Sequence, residues 1–172
     1  MQELHLKKRA GKRVRAGHLW IFSNEIERVV NGENEEPGAS ALVIDYDGSY
    51  LGCGYYNRHS LIAGRLLSRQ REPDEKELLE RRLLAAFELR SRFYGEEDEG
   101  CRLVYSEGDF LPGLVIDSYG DYLVMQLLTA GMDRRRDTIL EIVQKYLDPK
   151  GIVLRNDSHF RQLEGLERTV EV

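Results

Sequence analysis

ALVIDYDGSYLGCGYYN, residues 41–57, reads as two strands and the turn that joins them. Ala41–Tyr46 is a short apolar run of buried-strand type, and Asp47-Gly48 is a strong two-residue hairpin signal. Tyr50–Asn57 carries the chain back. Its Gly52 and Gly54 sit inside a strand pattern, which implies a bulge or a close approach by another backbone. Working outward, Glu3–Leu6 alternates, Glu25–Val30 follows an aromatic cluster, and Leu61–Leu67 adds a further strand. Residues 31–38 (NGENEEPG) form a polar loop. Five or so short strands with Gly-rich turns within about 70 residues predict a small, partly closed β-barrel.

The hydrophobic period then changes. Residues 72–74 combine a breaker with an N-cap, and Asp74 with Glu77 has the spacing of a capping box. From there to Tyr94, Leu78, Leu79, Leu83, Phe87, Leu89 and Phe93 recur at helical spacing until Gly95. The boundary between two units is expected at residues 71–73, giving domains 1–71 and 72–172. The second unit reads as strand 101–105, loop 106–113, strand 114–117, a Gly120-Asp121 turn and strand 122–128. Helix 133–147 and strand 151–154 follow. Together with the first helix this is an α+β domain with a mixed or antiparallel sheet and two helices. Residues 155–172 are polar and end without a closing signal, as if more chain should follow.

Composition narrows the function classes. The chain has 172 residues, 41% hydrophobic and 32% charged, which suits a soluble, well-cored protein. It has no run of 18 apolar residues to span a membrane. Its amino terminus has no signal-peptide core, so the expected location is cytoplasmic, with Cys53 and Cys101 reduced. The net charge of −5 argues against a nucleic-acid binder, but its distribution does not. Residues 1–71 hold 11 Lys and Arg against 8 Asp and Glu; residues 72–172 hold 14 against 22.

Six of those cations, Lys7, Lys8, Arg9, Lys12, Arg13 and Arg15, fall within nine residues and lead into HLWIFSNEI, residues 18–26. The plain reading is a solvated loop. The alternative is a polyanion site, because phosphates need cations at several points and unpaired bases need planar groups to stack on. His18 and Trp20 supply such groups. Trp20 and Phe22 alternate, and burial of at least one is expected. Arg65, near the end of the barrel unit, could widen the basic patch. Elsewhere Glu107, Asp109 and Asp117 allow a small hydrolase reading, against which stands a simple hairpin with acidic turns. Arg155-Asn156-Asp157 is either an interface or a satisfied turn. No G-x-G-x-x-G loop, P-loop or metal-spaced histidine pair occurs, so no catalytic, cofactor-binding or metal-ligating residue is assigned.

Three segments carry a resemblance that spans nearly the whole chain. HLWIFSNEI (18–26) resembles the "HPW-V/I-F-S" segment of bacterial class I methyltransferases that act on a cytosine 5-position of large-subunit ribosomal RNA. EGDFLPGLVIDSYGDYLVMQLLTAG (107–131) is similar to that family's "E-x-D-x-LPG-L-x-x-D-x-x-G-x-x-L-V-x-Q". RNDSHFRQLEGL (155–166) resembles its "R-x-D-x-x-x-R-x-x-EGL". Leu19 departs from the pattern, where the family often has proline. The resemblance implies a PUA-like RNA-binding domain followed by the family's central α+β domain. The C-terminal Rossmann-like domain, with its S-adenosylmethionine loop and nucleophilic cysteine, would be absent, and neither Cys53 nor Cys101 can stand in for that cysteine. The expectation is thus the RNA-recognition region of a SAM-dependent 23S rRNA cytosine methyltransferase, not catalytic by itself. Lys7, Lys8, Arg9, Lys12, Arg13, Arg15, His18, Trp20 and Arg65 would be its RNA contacts. The expected partners are ribosomal RNA, the missing domain in cis and, as an open option, a second copy of the chain. The alternative is a stand-alone RNA-binding or ribosome-assembly adaptor.

Overall fold

Gln2–Leu6 (β1) alternates buried Gln2, Leu4 and Leu6 with half-buried neighbours, as a strand with one core face must. The computed structural model describes residues 1–32, 36–72, 74–95 and 100–172. Residues 33–35 of the expected polar loop and Pro73 of the expected boundary lie outside the described residues. The chain divides into two compact units, Met1–Pro73 and Asp74–Val172.

In the first unit β1 is followed by a short helix, Gly11–Arg15 (α1), and by Trp20–Ile21 (β2). A 3-10 turn, Ser23–Glu25, leads into Ile26–Val30 (β3). Ala39–Ile44 (β4), Tyr50–Tyr56 (β5) and Gly64–Ser68 (β6) complete the unit. The six strands form one sheet in the order β2-β6-β5-β4-β1-β3, with β1 parallel to β4 and the other pairs antiparallel. In a flat sheet β2 and β3 would stand about 24 Å apart. Residues 22–25 join them, and the link from Ile21 to Ile26 spans at most about 18 Å even when fully extended. The sheet therefore curls until its edges approach. Leu4, Leu6, Val14, Ile21, Val43 and Leu66 fill the inside of that curl.

The hairpin at residues 41–57 forms as read, and so do its irregularities. The β4–β5 ladder slips between Val43 and Ile44, and the β5–β6 ladder between Cys53 and Gly54. A Cβ on Gly54 would collide with the Arg65 backbone, and one on Gly52 with Leu66. The last strand starts later than expected, at Gly64 rather than Leu61. Buried Asn57 holds the intervening turn: its amide donates to Ala63 O at 2.8 Å and its side chain accepts from His59 N at 3.0 Å. The basic stretch, expected as a loop, contains α1. Five residues are too few to show a period, and Val14 anchors the helix by reaching the core.

The second unit opens with Glu75–Ser91 (α2), whose first turn is capped by Asp74 Oδ1, accepting from Lys76 N at 2.7 Å and Glu77 N at 3.3 Å. Cys101–Tyr105 (β7), a 3-10 turn at Ser106–Asp109, Leu114–Tyr119 (β8) and Tyr122–Leu127 (β9) follow. The expected single helix 133–147 is two, Ala130–Arg134 (α3) and Arg136–Leu147 (α4). Arg135 separates them, buried, with its guanidinium donating to Gly131 O at 2.7 Å and Glu75 Oε2 at 2.6 Å. Gly151–Asn156 (β10) runs parallel to β9. The last segment, expected to be open, adds Phe160–Leu163 (α5) and Thr169–Glu171 (β11). The sheet is mixed, in the order β11-β10-β9-β8-β7. Leu111-Pro112-Gly113-Leu114 is a turn closed by Leu114 N donating to Leu111 O at 3.0 Å, with Gly113 at φ 87°, the type II arrangement.

Candidate nucleic-acid interface

The basic stretch is a turn and a helix, each pinned to the curled sheet. Ala10 N donates to Lys7 O at 3.0 Å, and Arg9 takes φ 78° at the third position of that turn. A side chain in this left-handed conformation costs about 1 kcal/mol, so the fold holds Arg9 there against its own preference. α1 then ends in a Schellman motif. His18 N donates to Arg13 O and Gly17 N to Val14 O, both at 3.1 Å, with Gly17 at φ 116°. Only Arg69 Nη2, at 3.7 Å, would lie near a Cβ at Gly17. Gly17→Ala should therefore destabilise the first unit by about 1 kcal/mol through backbone strain alone, measurable by chemical denaturation.

The six cations separate into two kinds. Arg15 is structural: its guanidinium donates to Asp45 Oδ2 and, at 2.9 Å, to Ser49 Oγ. Asp45 is 1% exposed and also accepts from Tyr46 N at 2.8 Å. Gly11 lies flat on the same carboxylate, where a Cβ would come within 2.5 Å of Oδ2. Beside it, hydrogen bonds from the Ser49 hydroxyl and amide hold the Asp47 carboxyl below its usual range, and the Arg15 charge adds to the effect. Arg13 is also engaged, donating to Glu25 Oε1 at 3.1 Å and lying 4.9 Å over the Phe22 ring. Lys7, Lys8, Arg9 and Lys12 are exposed and form no ion pair with another described residue. They are the cations available to a polyanion.

An aromatic pair follows α1 and lies under Arg13. Trp20 meets Phe22 edge to face, with centroids 6.5 Å apart, and Glu25 Oε2 accepts from Phe22 N at 2.8 Å. Burial of Trp20 or Phe22 was the expectation from their alternation; Ile21 between them is the buried residue, while Trp20 is 37% exposed and Phe22 half-buried. Strand β2 thus turns its aliphatic side chain inward. His18 is exposed, as a surface contact requires. Arg65 is not: it is 8% exposed and faces Trp20 across the β2–β6 ladder. It is a buried neighbour of Trp20 and adds no exposed charge to the basic patch.

The other candidates resolve into structure. Asp109 receives both terminal nitrogens of Arg90, at 2.5 and 2.7 Å, and Tyr105 N at 2.5 Å. Asp117 takes Arg102 at 2.7 and 3.0 Å. Two of the three carboxylates each have their own arginine and Glu107 accepts from the Ser106 hydroxyl, which weighs against the hydrolase reading, and no metal-competent cluster occurs among the described residues. Asn156 is buried and accepts from Leu127 N at 2.8 Å. Arg161, buried, donates to Leu127 O, to Asp133 Oδ1 at 2.7 Å and to Glu167 O at 2.8 Å. Glu164 Oε2 accepts from Ala130 N at 3.3 Å. The segment RNDSHFRQLEGL is therefore a clamp that ties the chain end to β9 and α3. Sequence reasoning missed this clamp; the spacing of Arg161 on α5 and Glu164 at its C-cap was its signal. Gly52 and Gly54, inside β5, are packed against β6.

Residues 4–69 match the family model described as a PUA-like domain. The "Ribosomal RNA large subunit methyltransferase I" of Vibrio cholerae is 34% identical over 170 residues, 98% of this chain and 42% of its own length. The protein of the same name from Shewanella frigidimarina is 38% identical over 152 residues, 87% of this chain and 38% of its own. A solved SAM-dependent methyltransferase assignment from Streptococcus mutans superposes with a TM-score of 0.77 at 18% identity, covering 91% of this chain and 41% of that one. A methyltransferase solved with SAH gives the same TM-score and identity. No helix among the described residues is long and apolar enough to cross a membrane. The chain spans about two fifths of the length of the curated relatives it matches. Over nearly all of its own length it is similar to ribosomal RNA large subunit methyltransferases, with a PUA-like match in its first unit.

Proposed function

We propose that this chain is the RNA-recognition part of a SAM-dependent methyltransferase that modifies the 5-position of a cytosine in large-subunit ribosomal RNA. Residues 1–71 act as its PUA-like domain and residues 72–172 as a central domain. Bond-making belongs to a further domain that binds S-adenosylmethionine. The cytosine assignment rests on the three motif segments, and the rRNA assignment on the relatives.

The observation that carries the reading is the division of the basic stretch. Arg13 and Arg15 are committed to carboxylates and hold the scaffold, which leaves Lys7, Lys8, Arg9 and Lys12 exposed on a pinned turn and helix. Exposed cations held at fixed points are what phosphate recognition requires, and each phosphate neutralised on a single strand contributes about 0.7 to the slope of log K against log salt. His18, exposed, and Trp20, 37% exposed, follow α1 in the chain and are the candidates for base contact.

A Lys8→Ala/Arg9→Ala/Lys12→Ala chain should bind an rRNA fragment at least about tenfold more weakly in low salt, with a slope shallower by about 2. Binding titrations at four or five salt concentrations measure both. An unchanged affinity and slope would remove the basic turn from the interface.

A further inference from the structure

The second unit carries a surface that the basic turn does not explain. In β9, Leu123, Met125 and Leu127 are buried while Tyr122, Val124 and Gln126 point the other way. The helices lie on the first side: a groove of about 560 Å³ brings Leu84 and Phe87 of α2 against Cys101, Leu103 and Ser118, and Ser118 pairs with Leu123. The opposite side of the sheet exposes Tyr105, Tyr119 and Tyr122, at 58, 58 and 56%. Tyr119 and Tyr122 are directly paired across the β8–β9 hairpin, whose Gly120 takes φ 57° at the first loop position.

Two of these rings lie down on the sheet. A Cβ on Gly151 would meet the Tyr122 ring at 3.2 Å, and one on Gly100 would meet the Tyr119 ring at 3.3 Å. Each ring thus occupies the space above a glycine of the neighbouring chain segment. Arg102 continues the strip, with its guanidinium 5.3 Å over the Tyr105 ring and its charge held by Asp117. The outward part of that pair is the cation: the Arg102 side chain is 48% exposed and Asp117 20%. Arg155, turned to the same side of the sheet because Leu154 before it pairs with buried Met125, is likewise more exposed than its partner Asp157. Glu75, Glu77, Glu80 and Glu88 lie on α2, in the helical layer, while Asp121, in the loop between Tyr119 and Tyr122, is exposed and pairs with Lys150 Nζ at 2.5 Å.

We propose that Tyr105, Arg102, Tyr119 and Tyr122 form a stacking platform for unpaired RNA bases, a second RNA surface separate from the basic turn. Recumbent rings and a guanidinium plane offer π faces to any base, and the carboxylates of this face, Asp117, Asp121 and Asp157, are each paired with a cation, which lowers the repulsion met by the backbone that comes with those bases. The inference rests on the reading of RNA as the ligand, but on different residues.

The probes are an unstructured oligouridylate and inorganic polyphosphate, which carries charge without bases. Tyr119→Ala/Tyr122→Ala should weaken oligouridylate binding about tenfold for each ring lost, leave its salt slope unchanged and leave polyphosphate binding as in the parent chain. Tyr119→Phe/Tyr122→Phe should restore affinity, since stacking needs the ring and not the hydroxyl. Ultraviolet crosslinking of the parent chain to oligouridylate should map to residues 119–122, a readout that does not depend on how the alanine variant folds. Parental affinity in the alanine variant, or no crosslink in that peptide, overturns the platform; loss of binding in Lys8→Ala/Arg9→Ala/Lys12→Ala under the same conditions leaves the basic turn standing. If neither set of substitutions changes binding, both readings fall. A self-association that the alanine variant abolishes while oligouridylate affinity stays parental makes this face a protein interface and overturns the proposal.

Discussion

A Gly113→Ala chain is expected to lose about 3 kcal/mol of stability in its second unit. Two costs combine. Gly113 holds φ 87° in the type II turn, a conformation that costs an L-residue about 1–2 kcal/mol. The new methyl would also collide with the Thr129 side chain, whose Oγ1 accepts from Met132 N at 3.3 Å and so caps α3. Forcing a methyl into a filled space adds about 1–3 kcal/mol. Thr129 cannot rotate away without releasing that cap. The turn is held from several sides besides: Gly113 N donates to Ser106 Oγ at 2.7 Å, and Leu128 N donates to Gly113 O at 2.8 Å. Guanidinium denaturation followed by circular dichroism reads the loss. Amide exchange in β8 and β9 should rise while that in β1 and β4 stays at the parental rate. A loss below about 1 kcal/mol would mean that the loop shifts freely, against the packing described. The LPGL segment, the most specific part of the family resemblance, therefore acts as a folding device, and its substitution should not alter the salt slope of RNA binding.

Asp45→Ala is the second large effect, of about 2 kcal/mol in the first unit. Removing one partner of a fully buried pair costs about 3–5 kcal/mol. Here Arg15 is 48% exposed at its side chain and regains water, so the loss falls below that range, to about 2 kcal/mol. The Tyr46 amide loses its acceptor, and the carboxylate bed under Gly11 disappears. α1 should then fray, raising amide exchange over residues 11–18 and weakening RNA binding although no exposed cation has been removed. Asp45→Asn keeps an acceptor oxygen for Tyr46 and should lose about half as much stability. Parental exchange over residues 11–18 in the alanine variant would show that the helix stands without the clamp, and that the exposed cations are not positioned by it.

Much of the fold was legible in local pattern. ALVIDY, the Asp-Gly turn and the two glycines of YLGCGYY specified a bulged hairpin, because turn chemistry and a Cβ-free close approach are short-range requirements. Asp74 announced the start of α2 through a side chain that caps its own helix. The α+β class followed from the change of hydrophobic period, while the sheet, expected as mixed or antiparallel, is mixed because β10 runs parallel to β9. What the local pattern could not contain was partner choice over distance. Six neighbouring cations look alike in the chain; only the fold brings Asp45, 30 residues on, to Arg15 and Glu25 to Arg13, and so decides which cations remain available. Alternation placed Trp20 and Phe22 on one side of a strand but could not say which side was the interior, and curling of the sheet gave the core to Ile21. Residues 155–172 looked like an open end because the groups that satisfy Arg161 and Glu164 belong to β9 and α3. A buried charge is placed by its partners, and those partners are adjacent only after the chain has folded.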